Sequence, residues 1–253
     1  MGNDEARTSG VVDKVAALLR ALSQHESGRT TTEVATATSL PRATAHRLLE
    51  ALAAEGLADR DTTDGRWHLG PETYVLGIAA ATRYDLTSEA RASVHRLARE
   101  TGESAFFSVR RGDETVVLLR EDGAFPIRSY VLHESARFPL GVVSAGLAIL
   151  AHLPERDVEA FFARADLTEP WGLQHSEDQV RKRLEATRQS GWSLNPGHVV
   201  EGSWGMAAAV FNKSGRPEWA LTITGVEQRF RPERQPMLGR LLLEEAHRLS
   251  RLA

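Results

Sequence analysis

Cysteine is absent from this 253-residue chain, which removes disulfides, thiolate metal sites, a cysteine nucleophile and thiol redox sensing together. Charge of one sign is also lacking. Lys and Arg number 31 against 34 Asp and Glu, a net charge of -3, so the chain is not a basic coat for nucleic acid. Only three lysines and 6% aromatics are present beside abundant Ala, Arg and Leu, a composition associated with GC-rich bacterial genomes. No apolar run approaches a membrane span. The first thirty residues hold no signal-type apolar core, and Ala6 and Arg7 stand where a myristoylation motif after Gly2 needs Ser or Thr. The expected location is the cytoplasm, with no membrane partner.

Catalytic signatures are missing as well. Ser144 sits in Gly-x-x-Ser-x-Gly and Ser203 in Gly-Ser-Trp-Gly, and neither makes a Gly-x-Ser-x-Gly nucleophile elbow. The stretch from His133 to Arg137 breaks the His-Glu-x-x-His zinc pattern, and no Walker or Rossmann glycine run occurs. We therefore expect no catalytic residue, no metal and no cofactor. A hydrolase-like small-molecule enzyme built on the larger domain is the alternative reading.

What is there begins between Thr31 and Leu69, where two short helical patterns, a Pro-led turn and a polar hairpin follow one another. Ala45, Leu48, Leu49 and Leu52 fall at i, i+3, i+4 and i+7, giving the segment from Pro41 to Ala54 one apolar face. The opposite face carries Ala43, Arg47 and Glu50, with Thr44 and His46 at its flanks and Arg42 near the start. Small, hydroxyl and basic side chains suit a helix entering a major groove. Pro41 is expected at the first helical position, where it costs no hydrogen bond and leaves free amides for a phosphate. A preceding helix over about 32–38 would cross the DNA backbone. The stretches 57–60 and 66–69 flank Asp64-Gly65, whose chemistry suits a hairpin turn, and put Arg60 and Arg66 on a wing for phosphate or minor-groove contact. This order of parts reads as a winged helix-turn-helix. Residues 1–70 nevertheless hold more acidic than basic side chains, so any basic footprint is local.

Three regions follow from the periodicities: a DNA-binding domain over 1–70, a linker helix over 71–85 with Tyr74, Val75, Ile78, Ala79 and Thr82 at helical spacing, and a larger domain over 86–253. A helix rich in apolar residues (Val12, Val15, Ala16, Leu19, Leu22) precedes the module and packs it or pairs two subunits. In the larger domain, Ala90, Val94, Leu97 and Ala98 face inward on a helix that Gly102 stops. Strands are expected over 104–109, 115–119 and 127–132, helices over 144–152, 155–163 and 177–190, strands again over 205–212 and 218–225, and a last helix over 232–252. Strands at both ends of central helices predict an α+β fold.

Two features of that domain suggest a ligand. If a helix starts near Ser144, the first-turn amides of Ser144, Ala145 and Gly146 offer an anion site for a small carboxylate, although Ser144 serves equally as a plain N-cap. Strand alternation turns Trp219, Leu221 and Ile223 to one side and Ala220, Thr222 and Thr224 to the other, so two hydroxyls share a surface. Threonines on a strand face are also ordinary. Trp204, Met206 and His198 are read either as a pocket wall or as core packing.

The segments LPRATAHRLLEALAAEGLADRD, RFPLGVVSAGLAILAHLP and SGWSLNPGHVVEGSWGMAAAVFNKSGRPEWALTITG, in this order, resemble the IclR family of bacterial transcription regulators. The resemblance implies a winged helix-turn-helix joined by a linker helix to a GAF-like antiparallel-sheet effector domain. It further implies that Ser144 and Ala145 line an effector pocket, that Thr222 and Thr224 supply its hydroxyls, and that Asn195, Ser203 and Gly205 occupy other pocket positions. Expected partners are double-stranded, roughly palindromic operator DNA, a small organic-acid effector, and further copies of the chain in a homodimer or homotetramer. A sequence-tolerant architectural DNA binder is a third reading.

Overall fold

The Gly10 amide donates to the Asp13 carboxylate at 2.9 Å and starts α1 (Val11–Ser23). We describe residues 10–25, 27–81, 86–129 and 131–253 of a computed structural model; Thr82, Tyr84 and Asp85, expected at the end of the linker helix, lie outside the described residues. The chain divides into two units, Met1–Tyr84 and Asp85–Ala253.

In the first unit, α2 (Thr31–Thr38) opens on a capping box: the Glu33 amide donates to the Thr30 hydroxyl and the Thr30 amide to the Glu33 carboxylate. Ser39, in the left-handed region at φ 54°, ends it. Pro41 then stands just before α3 (Arg42–Ala54) as its N-cap, not inside it. Its carbonyl accepts the first helical bond from the Ala45 amide at 3.0 Å. The strands β1 (Ala58–Arg60) and β2 (Trp67–Leu69) pair antiparallel around Gly65, whose φ of +72° suits a residue without Cβ. Leu18, Leu22, Val34, Ala45, Leu49 and Leu52 pack with the fully buried Trp67 to form the core, while Val12 is exposed. After the wing, α4 (Pro71–Ala81) leaves Tyr74, Val75, Leu76 and Ile78 exposed.

The second unit is an α+β sandwich. A six-stranded antiparallel sheet runs in the order β5-β4-β3-β8-β7-β6, from β3 (Ser104–Arg111), β4 (Glu114–Glu121), β5 (Arg137–Pro139), β6 (Ser193–Pro196), β7 (Ser203–Phe211) and β8 (Pro217–Val226). Alternation assigns its faces. Phe107, Leu221 and Ile223 pack with α5 (Leu86–Thr101) and α10 (Gln235–Ser250) through Val94, Leu97, Leu238 and Leu242. Phe106, Val117 and Ala220 pack instead with α6 (Ser144–Ala151), α7 (Glu155–Phe162) and α9 (Glu177–Ser190) through Leu147, Ile149, Phe161 and Leu184. A one-turn helix, α8 (Thr168–Trp171), connects α7 to α9.

Three expectations need correction. The run 127–132 is not a strand: Arg137–Pro139 pairs with the β4 edge instead, and the Val117 amide donates to the Ala136 carbonyl at 3.0 Å. The chain between is held as a loop by Pro126 and by Arg120 and Arg128 gripping Asp122. Tyr130 within it lies outside the described residues. The β3–β4 turn is Gly112-Asp113 alone, since the strands extend past 109 and start before 115. Finally, 232–234 is a turn ahead of α10, and Arg234 there reaches the Glu103 carboxylate at 2.7 Å.

Glu103 is 1% exposed in its side chain and also receives Arg229 at 2.7 Å; Arg229 in turn covers the Phe125 ring. Removing a carboxylate that two guanidinium groups share leaves charge uncompensated. We expect Glu103→Ala to destabilise the second unit by about 3 kcal/mol, read from urea unfolding of the full chain; a loss under about 1 kcal/mol would show the cluster to be marginal.

Candidate nucleic-acid interface and ligand cavity

The apolar stripe of α3 turns Ala45, Leu49 and Leu52 into the core, so the other face is set by geometry. Arg42, Ala43, His46, Arg47 and Glu50 are exposed and Thr44 is half-buried. Arg42 Nε donates to Thr32 Oγ1 at 3.3 Å, tying the start of α3 to α2. His46 lies 3.6 Å from Glu50 and edge-on to Trp67. Arg47 has no ion-pair partner among the described residues.

The two wing arginines differ from each other. Arg60 stays exposed, with Nε bonded to the Gly65 carbonyl and the guanidinium 5.4 Å over Trp67. Arg66 turns back on the module, donating to the Gly28 carbonyl at 3.1 Å and to Glu33 at 3.3 Å. The cause is the capping box. The Thr30 backbone and hydroxyl, with Arg66 and Arg29 adding, hold the Glu33 carboxyl below its usual range, so it is an anion facing Arg66.

In the second unit the N-cap of α6 is Val143, and Ser144 is the first helical residue. Its hydroxyl therefore caps nothing, which removes the N-cap reading. Ser144 stands instead on the wall of a small cavity of about 20 Å3, room for about one water. Polar groups there come from Ser144, Asn195, Ser203 and Thr224, and Val131, Leu132, Val143, Val199 and Trp204 supply apolar surface. Sheet register explains the assembly, since Asn195, Gly205, Thr224 and Ser104 lie side by side across four strands. Gly205 keeps this contact close: a Cβ would stand 3.0 Å from Ser144 Oγ, which would have to give way.

The hydrogen bonds separate fixed groups from free ones. Asn195 is committed, its Nδ2 donating to the Val142 carbonyl at 2.6 Å and its Oδ1 accepting from the His198 amide at 3.0 Å. Ser203 shares a hydroxyl bond with Ser129. Thr222, Thr224 and Ser104 hydroxyls are buried with no partner, a condition that costs free energy unless water or ligand fills it. Of the expected effector residues, Ser144, Asn195, Ser203, Gly205 and Thr224 meet at this cavity. Ala145 packs with Leu140 and Leu147, Gly146 abuts the Leu140 backbone, and Thr222 sits deeper in the sheet, so these three do not line it. Sequence reading missed Val131, Leu132 and Val199, which come from loops with no periodicity. Trp204 is wall and Met206 is core.

His198 is neither. Its Nδ1 lies 3.0 Å from Arg183 Nη1; a guanidinium only donates, so Nδ1 accepts and the ring proton is on Nε2. Buried His175 places Nδ1 2.9 Å from the Trp171 carbonyl and Nε2 3.3 Å from that of Val142. No carboxylate pairs with Arg183 among the described residues, and burial lowers it to about 10, still charged at neutral pH. His198 is pushed down to about 4 by burial, then by Arg183 and His175. His175 is lowered too, chiefly by burial. No group of side chains that could hold a metal occurs among the described residues.

A histidine depressed in the folded state is neutral there and binds its proton on unfolding, so stability falls as pH drops from 6.5 toward about 4. We expect His198→Gln to flatten that part of the stability curve, compared with wild type by chemical denaturation at each pH. Parallel curves would show that His198 titrates normally.

Comparison with known proteins places these features. The IclR helix-turn-helix domain matches residues 11–62, and the domain described as bacterial transcriptional regulator IclR C-terminal matches residues 78–251. The HTH-type transcriptional regulator BhcR of Paracoccus denitrificans is 29% identical over 238 residues, 88% of this chain and 80% of that protein. An IclR transcriptional regulator from Alicyclobacillus acidocaldarius superposes with a TM-score of 0.78 at 23% identity, covering 95% of this chain and 97% of that one. An IclR homolog from Microbacterium hydrocarbonoxydans, solved with 4-hydroxybenzoate, gives 0.77 at 20% identity over 96% of this chain and all of that one. With both domain models matched in order, the chain belongs to the IclR family of DNA-binding bacterial transcriptional regulators and is not an enzyme.

Proposed function

We propose that this regulator binds a roughly palindromic operator through the outer face of α3, and that a small organic acid in the cavity at the start of α6 changes its affinity for that operator. The observation that carries the effector half is the Thr224 hydroxyl, buried without a partner on the cavity wall beside Ser144 at the amide end of a helix. Such an end favours a carboxylate. The 4-hydroxybenzoate bound by the Microbacterium homolog is an acid of this kind. Arg42, Ala43, Thr44, His46 and Arg47 form the DNA-facing set in this reading, with Arg60 on the wing. Arg66 serves to hold the wing against α2. A homodimer or homotetramer is part of the proposal, since a two-fold assembly matches paired half-sites. The apolar residues exposed on α4 support it. The place of action is the cytoplasm, and no helix among the described residues is long and apolar enough to cross a membrane.

For the DNA half, Arg47→Ala should weaken binding to the DNA flanking the gene by about tenfold, equivalent to about 1.4 kcal/mol, in a fluorescence-anisotropy titration. Equal binding by variant and wild type would remove α3 as the reading helix. For the effector half, a panel of carboxylates screened by thermal shift should yield a stabilising ligand whose affinity Thr224→Val lowers about fivefold, the loss of one hydrogen bond of about 1 kcal/mol. A ligand indifferent to that change binds elsewhere.

A further inference from the structure

Beside the small inner cavity lies a more open space of about 560 Å3, and both are walled by Val131 and Ser203. The partition is thin. The Ser129 and Ser203 hydroxyls hydrogen-bond to each other, with Ser129 in the outer space and Ser203 in both. The inner chamber presents no charged side chain, whereas the outer one combines apolar Val131, Val200 and Val226 with two charged groups, Arg128 and Glu201.

These two charges are held differently. Arg128, 33% exposed in its side chain, is fixed: Nη1 donates to Asp122 at 2.8 Å and Nε to the Phe125 carbonyl at 3.4 Å. Asp122 is shared with Arg120 at 2.7 Å, so its charge is divided between two guanidinium groups. The Nη2 of Arg128 has no partner among the described residues. Glu201 is exposed on the 197–202 turn, where water hydrates it. A preorganised guanidinium edge above an apolar floor selects an anion.

We propose that the two spaces form one elongated site for an α,ω-dicarboxylate. One carboxylate lies against Ser144 at the start of α6 and Thr224, the methylene stem passes between Val131 and Ser203, and the far carboxylate takes the open edge of Arg128. The proposal rests on the reading of the inner chamber as the effector site.

The test is calorimetric titration of the full chain with linear monocarboxylates from propionate to decanoate and their dicarboxylate counterparts from malonate to sebacate. One or more dicarboxylates should bind at least about tenfold tighter than the matched monocarboxylate, as one charge-assisted hydrogen-bond pair predicts. That preference should fall below about threefold in Arg128→Gln and be partly kept in Arg128→Lys. A monocarboxylate that Thr224→Val weakens, bound as well as its dicarboxylate, overturns the elongated site and leaves the inner one standing. A dicarboxylate preference that survives Arg128→Gln overturns it too. If Thr224→Val affects no acid, or none binds, the inner reading fails and carries this one with it.

Discussion

Small side chains decide how close α6 lies to the sheet, and the ligand cavity depends on that approach. Ala148 of α6 packs on Ala207 and Ala209 of β7. At the helix start, Gly205 has no Cβ to meet the Ser144 hydroxyl. Gly146 lies equally close to the backbone of Leu140 and Gly141. The Ser193 hydroxyl then fixes the height of the helix by donating to the Ser144 carbonyl at 2.7 Å. Any larger group in this layer would lift α6 away and take its amides out of reach of the hydroxyl row on β8. The cavity is thus the gap left where close packing stops, at the end of the alanine contacts.

The same layer explains why the Arg183 cation sits nearby with no carboxylate partner among the described residues. Val142, just before α6, accepts from Asn195 and lies against His175, and His198 bonds to Asn195 through its amide. Arg183 binds the Gln174 carbonyl at 2.8 Å and the His198 ring. Carbonyls and a neutral ring, rather than a carboxylate, therefore hold the guanidinium. This arrangement orders the turn that carries Val199 to the cavity wall. It also works only while His198 is neutral, because a second cation 3.0 Å from Arg183 would be repelled.

How much of this was legible in the sequence follows from which residues carry a period. The α3 stripe of Ala45, Leu49 and Leu52 and the β8 alternation of Leu221 and Ile223 against Thr222 and Thr224 could be read directly, because each element has one face against a core. The α6 segment was placed over 144–152 although all eight residues of the helix are buried and it shows no amphipathic stripe. The run 127–132 was misread because Ile127 and Leu132 look like strand residues, whereas the grip of Arg120 and Arg128 on Asp122 depends on partners that spacing does not reveal. Arg66 was misplaced for the same reason. Its partner Glu33 is a capping residue 33 positions away, and a basic side chain on a wing reads as a phosphate contact until that carboxylate is seen. Among the cavity residues, Thr224 followed from strand alternation, Asn195, Ser203 and Gly205 came only from the family resemblance, and Val131, Leu132 and Val199, on loops, were not foreseen.

On the DNA-binding side, electrostatics bears on how a ligand could control the protein. Arg42 and Arg66 spend donors on Thr32 and on Glu33, and Arg60 leans on Gly65 and Trp67. Arg47 is left with no ion-pair partner among the described residues. Phosphate attraction that ignores sequence grows with the number of cations free to displace counterions, and so few of them keep that attraction small. Under the proposed mechanism, operator occupancy then depends mainly on base contacts and on two half-sites being engaged together. A coupling of roughly 1–3 kcal/mol, the usual range for an effector, is a large share of such a margin. A strongly basic module would stay on DNA through the same change, so under that mechanism the near balance of charge that first counted against nucleic acid is what would let a small ligand act as a switch.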